Sequence, residues 1–146
     1  MTKKFITKSA LGTKNLGKKI AQDFCIQKGA IILGLKGDLG AGKTTFVQGV
    51  AHGLEISDKI LSPTFVILKK FKIFKSENKF QNFFHIDCYR IENPKEILDL
   101  GFKEIILDPK NIVIIEWPEK IKTILPEHTM FLNFKFVNIN TREIKI

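Results

Sequence analysis

This chain of 146 residues has little arginine and little cysteine, and each shortage limits what it can do. Only Arg90 and Arg142 are present, whereas nucleotide kinases usually need several arginines to clamp the phosphoryl group that they transfer. Cys25 and Cys88 fit no zinc-binding spacing, and we expect both to be reduced thiols buried as small hydrophobic side chains. The composition therefore argues against a small-molecule kinase and against a zinc site.

The sequence also lacks an apolar run long enough to span a membrane. The N-terminus is basic but leads into no apolar signal segment, so we expect a cytoplasmic protein without a membrane partner. No internal repeat or low-complexity linker divides the chain, and its length suits one core. The prediction is a single domain over residues 1–146.

Acidic residues are outnumbered, and the formal net charge is +9. A basic face for RNA or another polyanion is one interpretation. The other is compositional, because lysine, isoleucine and phenylalanine are all abundant, as they are in proteins of AT-rich genomes. Both interpretations stay open for the lysine-rich segment, which contains Lys69, Lys70, Lys72, Lys75 and Lys79.

What the sequence does contain is a complete phosphate-binding loop of the form G-x-x-x-x-G-K-[ST]. Its residues are Gly37, Asp38, Leu39, Gly40, Ala41, Gly42, Lys43 and Thr44, and Thr45 follows. A buried apolar run precedes the loop and a helical apolar pattern follows it. We expect the backbone N–H groups to point at phosphate oxygens, Lys43 to reach the β- and γ-phosphates, and the Thr44 hydroxyl to bind Mg²⁺.

Two apolar runs end in a carboxylate. Glu116 ends the run from residue 112, and Asp87 ends the run from residue 83. Because phosphates supply most oxygen ligands of Mg²⁺ in an ATP site, a few acidic side chains at strand ends suffice. We favour Glu116 for direct metal contact and Asp87 for holding a metal-bound water or orienting the attacking water. The alternative is that either one is an exposed charge at a strand end.

Three further residues have two interpretations each. Trp117 is either a core residue or a neighbour of the nucleotide. His85 alternates with Asp87 and could share its face, although a single strand histidine is usually a packing residue. Thr64, within Ser-Pro-Thr, either senses the γ-phosphate or belongs to a simple turn set by Pro63.

The pattern of apolar runs, caps and turns predicts an α/β fold of the P-loop NTPase type. We expect a mostly parallel sheet flanked by helices, with antiparallel hairpin additions. Strands are predicted at residues 5–7, 30–35, 65–74, 80–87 and 111–116, with a final hairpin between 129 and 146. Helices are predicted from a cap at Ser9 to about Cys25, from 44 to 54, from Pro94 to Gly101, and from Pro118 to 125.

Four short blocks occur together in this chain: GDLGAGKTT at 37–45, SPTF at 62–65, HIDCYR at 85–90 and EWP at 116–118. In order and spacing they resemble the bacterial threonylcarbamoyladenosine-biosynthesis ATPase family, TsaE, formerly called YjeE. The phosphate loop alone is common to many families, but the four blocks together are highly specific. The resemblance covers essentially the whole chain.

The resemblance implies a small P-loop ATPase that works with the TsaB and TsaD proteins in a TsaBDE complex. That system makes N6-threonylcarbamoyladenosine in tRNAs that read codons beginning with A, and the transfer chemistry belongs to TsaD. The cofactors it implies are ATP and Mg²⁺. Any contact with tRNA would be made through the complex.

The resemblance also implies roles for individual residues. Lys43 and Thr44 would bind phosphate and Mg²⁺, and Glu116 would be the metal-side carboxylate. Asp87 would be an essential acid near the γ-phosphate, Thr64 a switch-like hydroxyl, and Trp117 a neighbour of the nucleotide. The stretch of residues 9–13 would approach the adenine, although no motif there selects one residue.

Other activities fit less well. A GTPase is disfavoured because Asn78-Lys79 is followed by Phe80-Gln81, which does not complete the Asn-Lys-x-Asp guanine motif. A non-catalytic nucleotide- or RNA-binding module is the remaining alternative beside the small-molecule kinase. Because only two arginines exist, we expect slow hydrolysis by the isolated chain and faster hydrolysis with partners. Of the two, Arg90 is expected nearer the site than Arg142.

Overall fold

A computed structural model describes residues 2–61, 66–74 and 79–146. The strands are β1 Lys4–Thr7, β2 Ile31–Lys36, β3 Leu68–Lys72, β4 Asn82–Asp87, β5 Asn111–Glu116, β6 Met130–Phe136 and β7 Arg142–Lys145. The helices are α1 Ala10–Gln22, α2 Lys43–Gly53, α3 Lys95–Leu98 and α4 Phe102–Leu107. Short 3₁₀ segments cover Asp23–Ile26 and Pro118–Ile124.

The described strands form one seven-stranded sheet in the order β1-β7-β6-β2-β5-β4-β3. Its centre is parallel, because β2 pairs in parallel with β5 and β6, and β5 pairs in parallel with β4. The outer pairs β3–β4, β6–β7 and β1–β7 are antiparallel. The predicted α/β fold is confirmed, with a parallel core and antiparallel hairpin additions.

Helices cover both faces of the sheet, which explains why β2 and β5 read as nearly continuous apolar runs. Residues alternate between the two faces: Leu33 and Ile114 pack in the core that includes α1 and α2, while Ile32 and Val113 pack in the core on the other face. Since the central strands are parallel, β2, β4 and β5 all end at the same edge. This carboxyl edge is where the candidate site lies.

Helices α1 and α2 are in close backbone contact. Ser9 caps α1 as predicted, its hydroxyl accepting a hydrogen bond of 2.9 Å from the Gly12 N–H. A Cβ at Gly49 of α2 would stand only 2.0 Å from the Lys14 carbonyl oxygen of α1, so no larger residue fits there. The contact places the start of α1 beside the start of α2.

The helical segment that begins after Ser9 ends near Cys25 as predicted, with α1 to Gln22 and a 3₁₀ turn to Ile26. Two other local predictions were wrong. Cys25, in that turn, is exposed rather than buried, whereas Cys88 is buried as predicted. Gly101 does not end the helix that begins near Pro94: α3 ends at Leu98, and Gly101, with φ of 83°, begins α4 instead. A glycine in the left-handed conformation can border either helix, and here it separates two short ones.

Candidate functional site

The loop of residues 37–42 connects β2 to α2, as the sequence predicts. Gly42, with φ of 99°, is the N-terminal cap of α2 and offers no side-chain hydrogen bond to it. The N–H groups of the first helical turn therefore have no intrahelical acceptor, and the first regular helical bond runs from Phe46 to Gly42. Unpaired N–H groups and the positive end of the helix dipole together suit an anion.

Lys43, the first residue of α2, is turned back into the loop and only 5% of it is exposed. Its Nζ donates to the carbonyl oxygens of Gly37 and, at 3.2 Å, of Asp38. It also lies 4.2 Å from the centroid of the Trp117 ring. Burial lowers the pKa of Lys43, and the nearby carboxylate of Glu116 opposes that shift most strongly.

Thr44 and Glu116 meet across 72 residues of sequence. The Thr44 hydroxyl donates to the two carboxylate oxygens of Glu116 at 3.2 and 3.3 Å. The last residue of β5, Glu116 is 3% exposed, and one of its oxygens also lies 2.6 Å from Nε2 of His85. The structure thus brings together the two residues predicted to bind the metal.

Asp87 ends β4 directly beside Glu116, because the two residues pair in the parallel register of β4 and β5. It is 4% exposed and accepts a hydrogen bond of 2.9 Å from the Tyr89 backbone N–H. Both predicted carboxylates are therefore buried. The alternative that either is an exposed charge at a strand end is wrong.

These residues surround one open cavity of about 370 Å³. It is lined by Asp38, Leu39, Gly40, Ala41, Gly42, Lys43, Thr44, Thr45, Asp87, Tyr89, Glu116, Trp117 and Arg142. Gly37 joins the site through the bond that its carbonyl accepts from Lys43. Thr64 lies outside the described residues, as does the rest of its Ser-Pro-Thr-Phe block.

Trp117 follows β5 with φ of 59°, a left-handed conformation that is uncommon for a large side chain. This turn at the end of the strand lets the indole lie over the Lys43 ammonium. The Tyr89 ring packs against the indole with centroids 5.1 Å apart. Trp117 is therefore at the cavity rather than deep in the core.

Sequence reasoning did not select Tyr89 or Arg142. Tyr89 lies within the HIDCYR block, two residues after Asp87, so only its side-chain contact was missed. The prediction that Arg90 lies nearer the site than Arg142 was wrong. Arg142 lines the cavity, and its Nε donates to the Gly40 carbonyl oxygen at 3.2 Å. Arg90 is exposed and does not line the cavity. Arg142 begins β7 opposite Phe136, so the β6–β7 hairpin brings it to the carboxyl edge.

A second, smaller recess of about 80 Å³ adjoins the loop. Its walls come from the start of α1, from the loop and from the β6–β7 turn, namely Ser9, Ala10, Thr13, Gly42, Thr45, Ile139, Asn140 and Arg142. The stretch of residues 9–13 therefore lies beside the phosphate-binding loop. That this stretch approaches the adenine stays a prediction.

The described residues of the site offer oxygen atoms to a Mg²⁺ ion but no full set of protein ligands. Within the described ranges no three His, Cys, Asp or Glu side chains form a group that could hold a metal ion. The Thr44 hydroxyl and the Glu116 carboxylate nevertheless offer adjacent hard oxygen atoms, which Mg²⁺ prefers. Nucleotide phosphates would supply further oxygens.

Among the described residues, no helix is long and apolar enough to cross a membrane.

Comparison with known proteins identifies the family of this chain. Residues 7–144 match the family described as threonylcarbamoyl adenosine biosynthesis protein TsaE. The tRNA threonylcarbamoyladenosine biosynthesis protein TsaE of Rickettsia typhi is 40% identical over 131 residues, 89% of this chain and 84% of that protein. Its namesake in Treponema pallidum is 30% identical over 141 residues, 97% of each chain.

A solved structure is also similar. The crystal structure of Bacillus subtilis YdiB matches with a TM-score of 0.76 and 29% identity, over 99% of this chain and 84% of that chain. The resemblance noted from the four sequence blocks is confirmed by the family match and by these relatives. The chain belongs to the TsaE family of tRNA threonylcarbamoyladenosine biosynthesis proteins.

Proposed function

We propose that this protein is a P-loop ATPase of a single domain that binds Mg-ATP and hydrolyses it slowly on its own. One observation carries the proposal: Lys43 is turned into a loop of backbone groups while Thr44, the next residue, contacts the buried carboxylate of Glu116. A phosphate-binding half and a metal-binding half thus lie side by side. Both are at the carboxyl edge of the parallel sheet, where ligands of such folds bind.

The loop would bind the phosphates through its N–H groups and through Lys43. The Lys43 ammonium donates to carbonyl oxygens of the loop itself, and phosphate oxygens would be stronger acceptors because they are charged. We expect Lys43 to exchange carbonyl contacts for phosphate contacts when ATP binds. The small recess beside Gly42 and Thr45 adjoins the loop, and the nucleoside would lie toward it.

Bound Mg²⁺ would neutralise charge on the phosphate oxygens during the reaction. The Thr44 hydroxyl and Glu116 would hold it, and Asp87, beside Glu116, would orient the attacking water or accept its proton. Thr64 remains a proposed γ-phosphate sensor. Trp117, over Lys43, would border the phosphates.

We expect slow intrinsic hydrolysis because the one arginine that lines the described cavity already has other hydrogen-bond partners. Arg142 is already engaged, since it donates to the carbonyl oxygens of Gly40 and Asn138 and stacks 4.5 Å from the Phe136 ring. An arginine supplied by a partner can accelerate such hydrolysis on the order of 10³–10⁵-fold. We therefore propose that TsaB and TsaD, the partners implied by the family resemblance, complete or reshape the site in the cytoplasm.

The test is steady-state hydrolysis of ATP and of GTP, first by the isolated chain and then with TsaB, TsaD and tRNA at low and high salt. We expect slow turnover alone, a preference for ATP, and a partner-dependent rise that salt weakens because the chain is basic. Fast turnover alone, unchanged by partners, would overturn the partner-dependent mechanism. Nucleotide binding without turnover in any mixture would favour the non-catalytic binding module.

A further inference from the structure

We propose that His85 is a positioning residue for the metal-side carboxylate: its imidazole fixes the orientation in which Glu116 faces Thr44. The inference rests on the proposed Mg-ATP function. It assigns a task to a residue that the sequence alone would class as a packing histidine. His85 would not touch the nucleotide, and it would act only through Glu116.

The first observation is the geometry of the contact. His85 is completely buried in the middle of β4, and its Nε2 lies 2.6 Å from Oε2 of Glu116. The bond is shorter than those from the Thr44 hydroxyl to the same carboxylate, at 3.2 and 3.3 Å. The imidazole is therefore the closest described hydrogen-bonding group on Glu116, and it binds from the strand next to it.

The second observation is the pairing of the two ring nitrogens, of which Nε2 faces Glu116. A carboxylate that binds Mg²⁺ has no proton to donate, so the proposed role requires the His85 tautomer whose Nε2–H donates a hydrogen bond to Glu116. The other nitrogen, Nδ1, is buried and has no hydrogen-bond partner among the described residues. A histidine kept for packing alone would be expected to satisfy both nitrogens, since a buried polar atom without a partner costs free energy. Here the described polar contact of the ring goes to the site.

The third observation is that His85 lies on a strand whose backbone is held firmly by both of its neighbours. β4 is paired on both sides, so that His85 stands opposite Lys69 of β3 and Ile114 of β5. Its backbone is thereby held at two sheet contacts, whereas Glu116 is the last residue of its strand. A ring on a rigid strand can hold a longer, more flexible side chain at the end of the neighbouring strand. Partners of this kind commonly orient metal-binding side chains.

A specific failure follows if the imidazole is removed. Glu116 is the carboxylate that most strongly opposes the lowered pKa of Lys43, so the two side chains already interact electrostatically. Without His85, the carboxylate would be free to turn away from Thr44 or toward Lys43. The binding of Mg²⁺ would suffer, while binding of nucleotide without metal would not.

The experiment measures how much Mg²⁺ improves ATP affinity, by titrating ATP with Mg²⁺ or with EDTA and following the fluorescence of Trp117, the sole tryptophan. His85→Phe and His85→Leu remove the donor, while His85→Gln keeps an amide N–H the same number of bonds from Cβ. Asn82→Leu, in the same strand, is the control, because it removes a buried polar pair with Asn111 away from the site. Urea unfolding of each variant reports its stability.

We expect the Mg²⁺-dependent gain to fall roughly 10- to 100-fold in His85→Phe and His85→Leu, the usual cost of losing such a partner. Affinity in EDTA should stay within about twofold of the unmodified protein. His85→Gln should restore most of the Mg²⁺-dependent gain in affinity. Asn82→Leu should lower the stability of the protein but leave that gain unchanged. An equal loss with and without Mg²⁺, or an undiminished gain in both donor-less variants, overturns the inference.

If the donor-less variants do not fold, the unmodified protein still decides the matter. Nitrogen NMR of ¹⁵N-histidine protein should show the proton of His85 on Nε2, and its signal should shift when Mg-ATP is added but less with ATP in EDTA. A proton on Nδ1, or equal shifts under both conditions, overturns the inference. If the unmodified protein gains no affinity from Mg²⁺ at all, the proposed function itself fails, which distinguishes the two failures.

Discussion

The ends of β4 and β5 each present one buried carboxylate, and the two are held in different ways. Glu116 is contacted by side chains from other elements, Thr44 of α2 and His85 of β4. Asp87 is contacted by the backbone of its own following loop, through the Tyr89 N–H. The sheet register places them side by side, and the Thr44 hydroxyl joins Glu116 to the phosphate-binding helix by a hydrogen bond.

This difference suggests a division of work between the two acids. In the proposed mechanism, the carboxylate bonded to Thr44 would bind the metal, because the hydroxyl and the carboxylate offer adjacent oxygen atoms. The carboxylate bonded to the loop beside the cavity would act on the water that attacks the phosphate. The loop also carries Tyr89, whose ring packs on Trp117, so Asp87 and this aromatic pair at the cavity are supported by the same loop.

The largest effect is expected from Asp87→Asn. Asparagine retains an oxygen for the Tyr89 N–H but cannot accept a proton, so kcat should fall roughly 10²–10⁴-fold while ATP affinity changes little. Stopped-assay kinetics and calorimetry measure the two quantities. Asp108→Asn is the matched control, because Asp108 also accepts a hydrogen bond from the N–H two residues later, outside the cavity. A loss of Mg²⁺-dependent affinity in Asp87→Asn would exchange the roles of the two acids.

Lys43→Ala should weaken ATP binding whichever acid binds the metal, since in the proposed function Lys43 would contact the phosphates directly. Losing its charge-assisted hydrogen bonds should weaken ATP binding on the order of 100-fold in calorimetry. Lys36→Ala is the control: it also removes a lysine whose ammonium lies over an aromatic ring, 4.1 Å from the centroid of Phe131. Unchanged affinity in Lys43→Ala would reject the phosphate-binding assignment.

Glu116→Gln should give an intermediate effect. Glutamine retains an acceptor for Thr44 and His85 but loses the negative charge, so Mg²⁺-dependent affinity and turnover should fall together, each about tenfold. ATP titrations at several Mg²⁺ concentrations measure this. Glu143→Gln is a control on a carboxylate that pairs with Lys4 and Lys145 instead. Lower turnover with intact Mg²⁺ dependence would show that the two acids do not differ as argued.

Sequence reasoning predicted the parts of this site that depend on local pattern. The phosphate-binding loop is a contiguous motif, and apolar runs ending in an acid predict strand ends at one edge of a parallel sheet. Glu116 and Asp87 could therefore be named in advance. The alternation that placed His85 on the face of Asp87 was also sound, although it gave no partner for the ring.

The remainder depends on contacts that no local pattern encodes. Arg142 reaches the cavity because β6 pairs with β2 and the hairpin register sets Arg142 opposite Phe136, and both facts are long-range. The bond between His85 and Glu116 needs the register of two separate strands. Helix α4 was missed for a local reason: Gly101 fits either end of a helix, and the sequence does not say which.

The smallest effect, and the sharpest check on how Asp87 is held, is expected from Tyr89→Ala. The bond to Asp87 comes from the backbone N–H, so removing the ring leaves that donor in place and kcat should stay within about threefold. The loss should be the ring contact with Trp117, worth roughly 0.5–1.5 kcal/mol beyond the area it buries, seen in urea unfolding. Tyr89→Phe, which keeps the ring, should lose neither. If Tyr89→Ala instead lowers kcat as much as Asp87→Asn does, the side chain and not the backbone positions Asp87, and the contrast between the two strand ends fails.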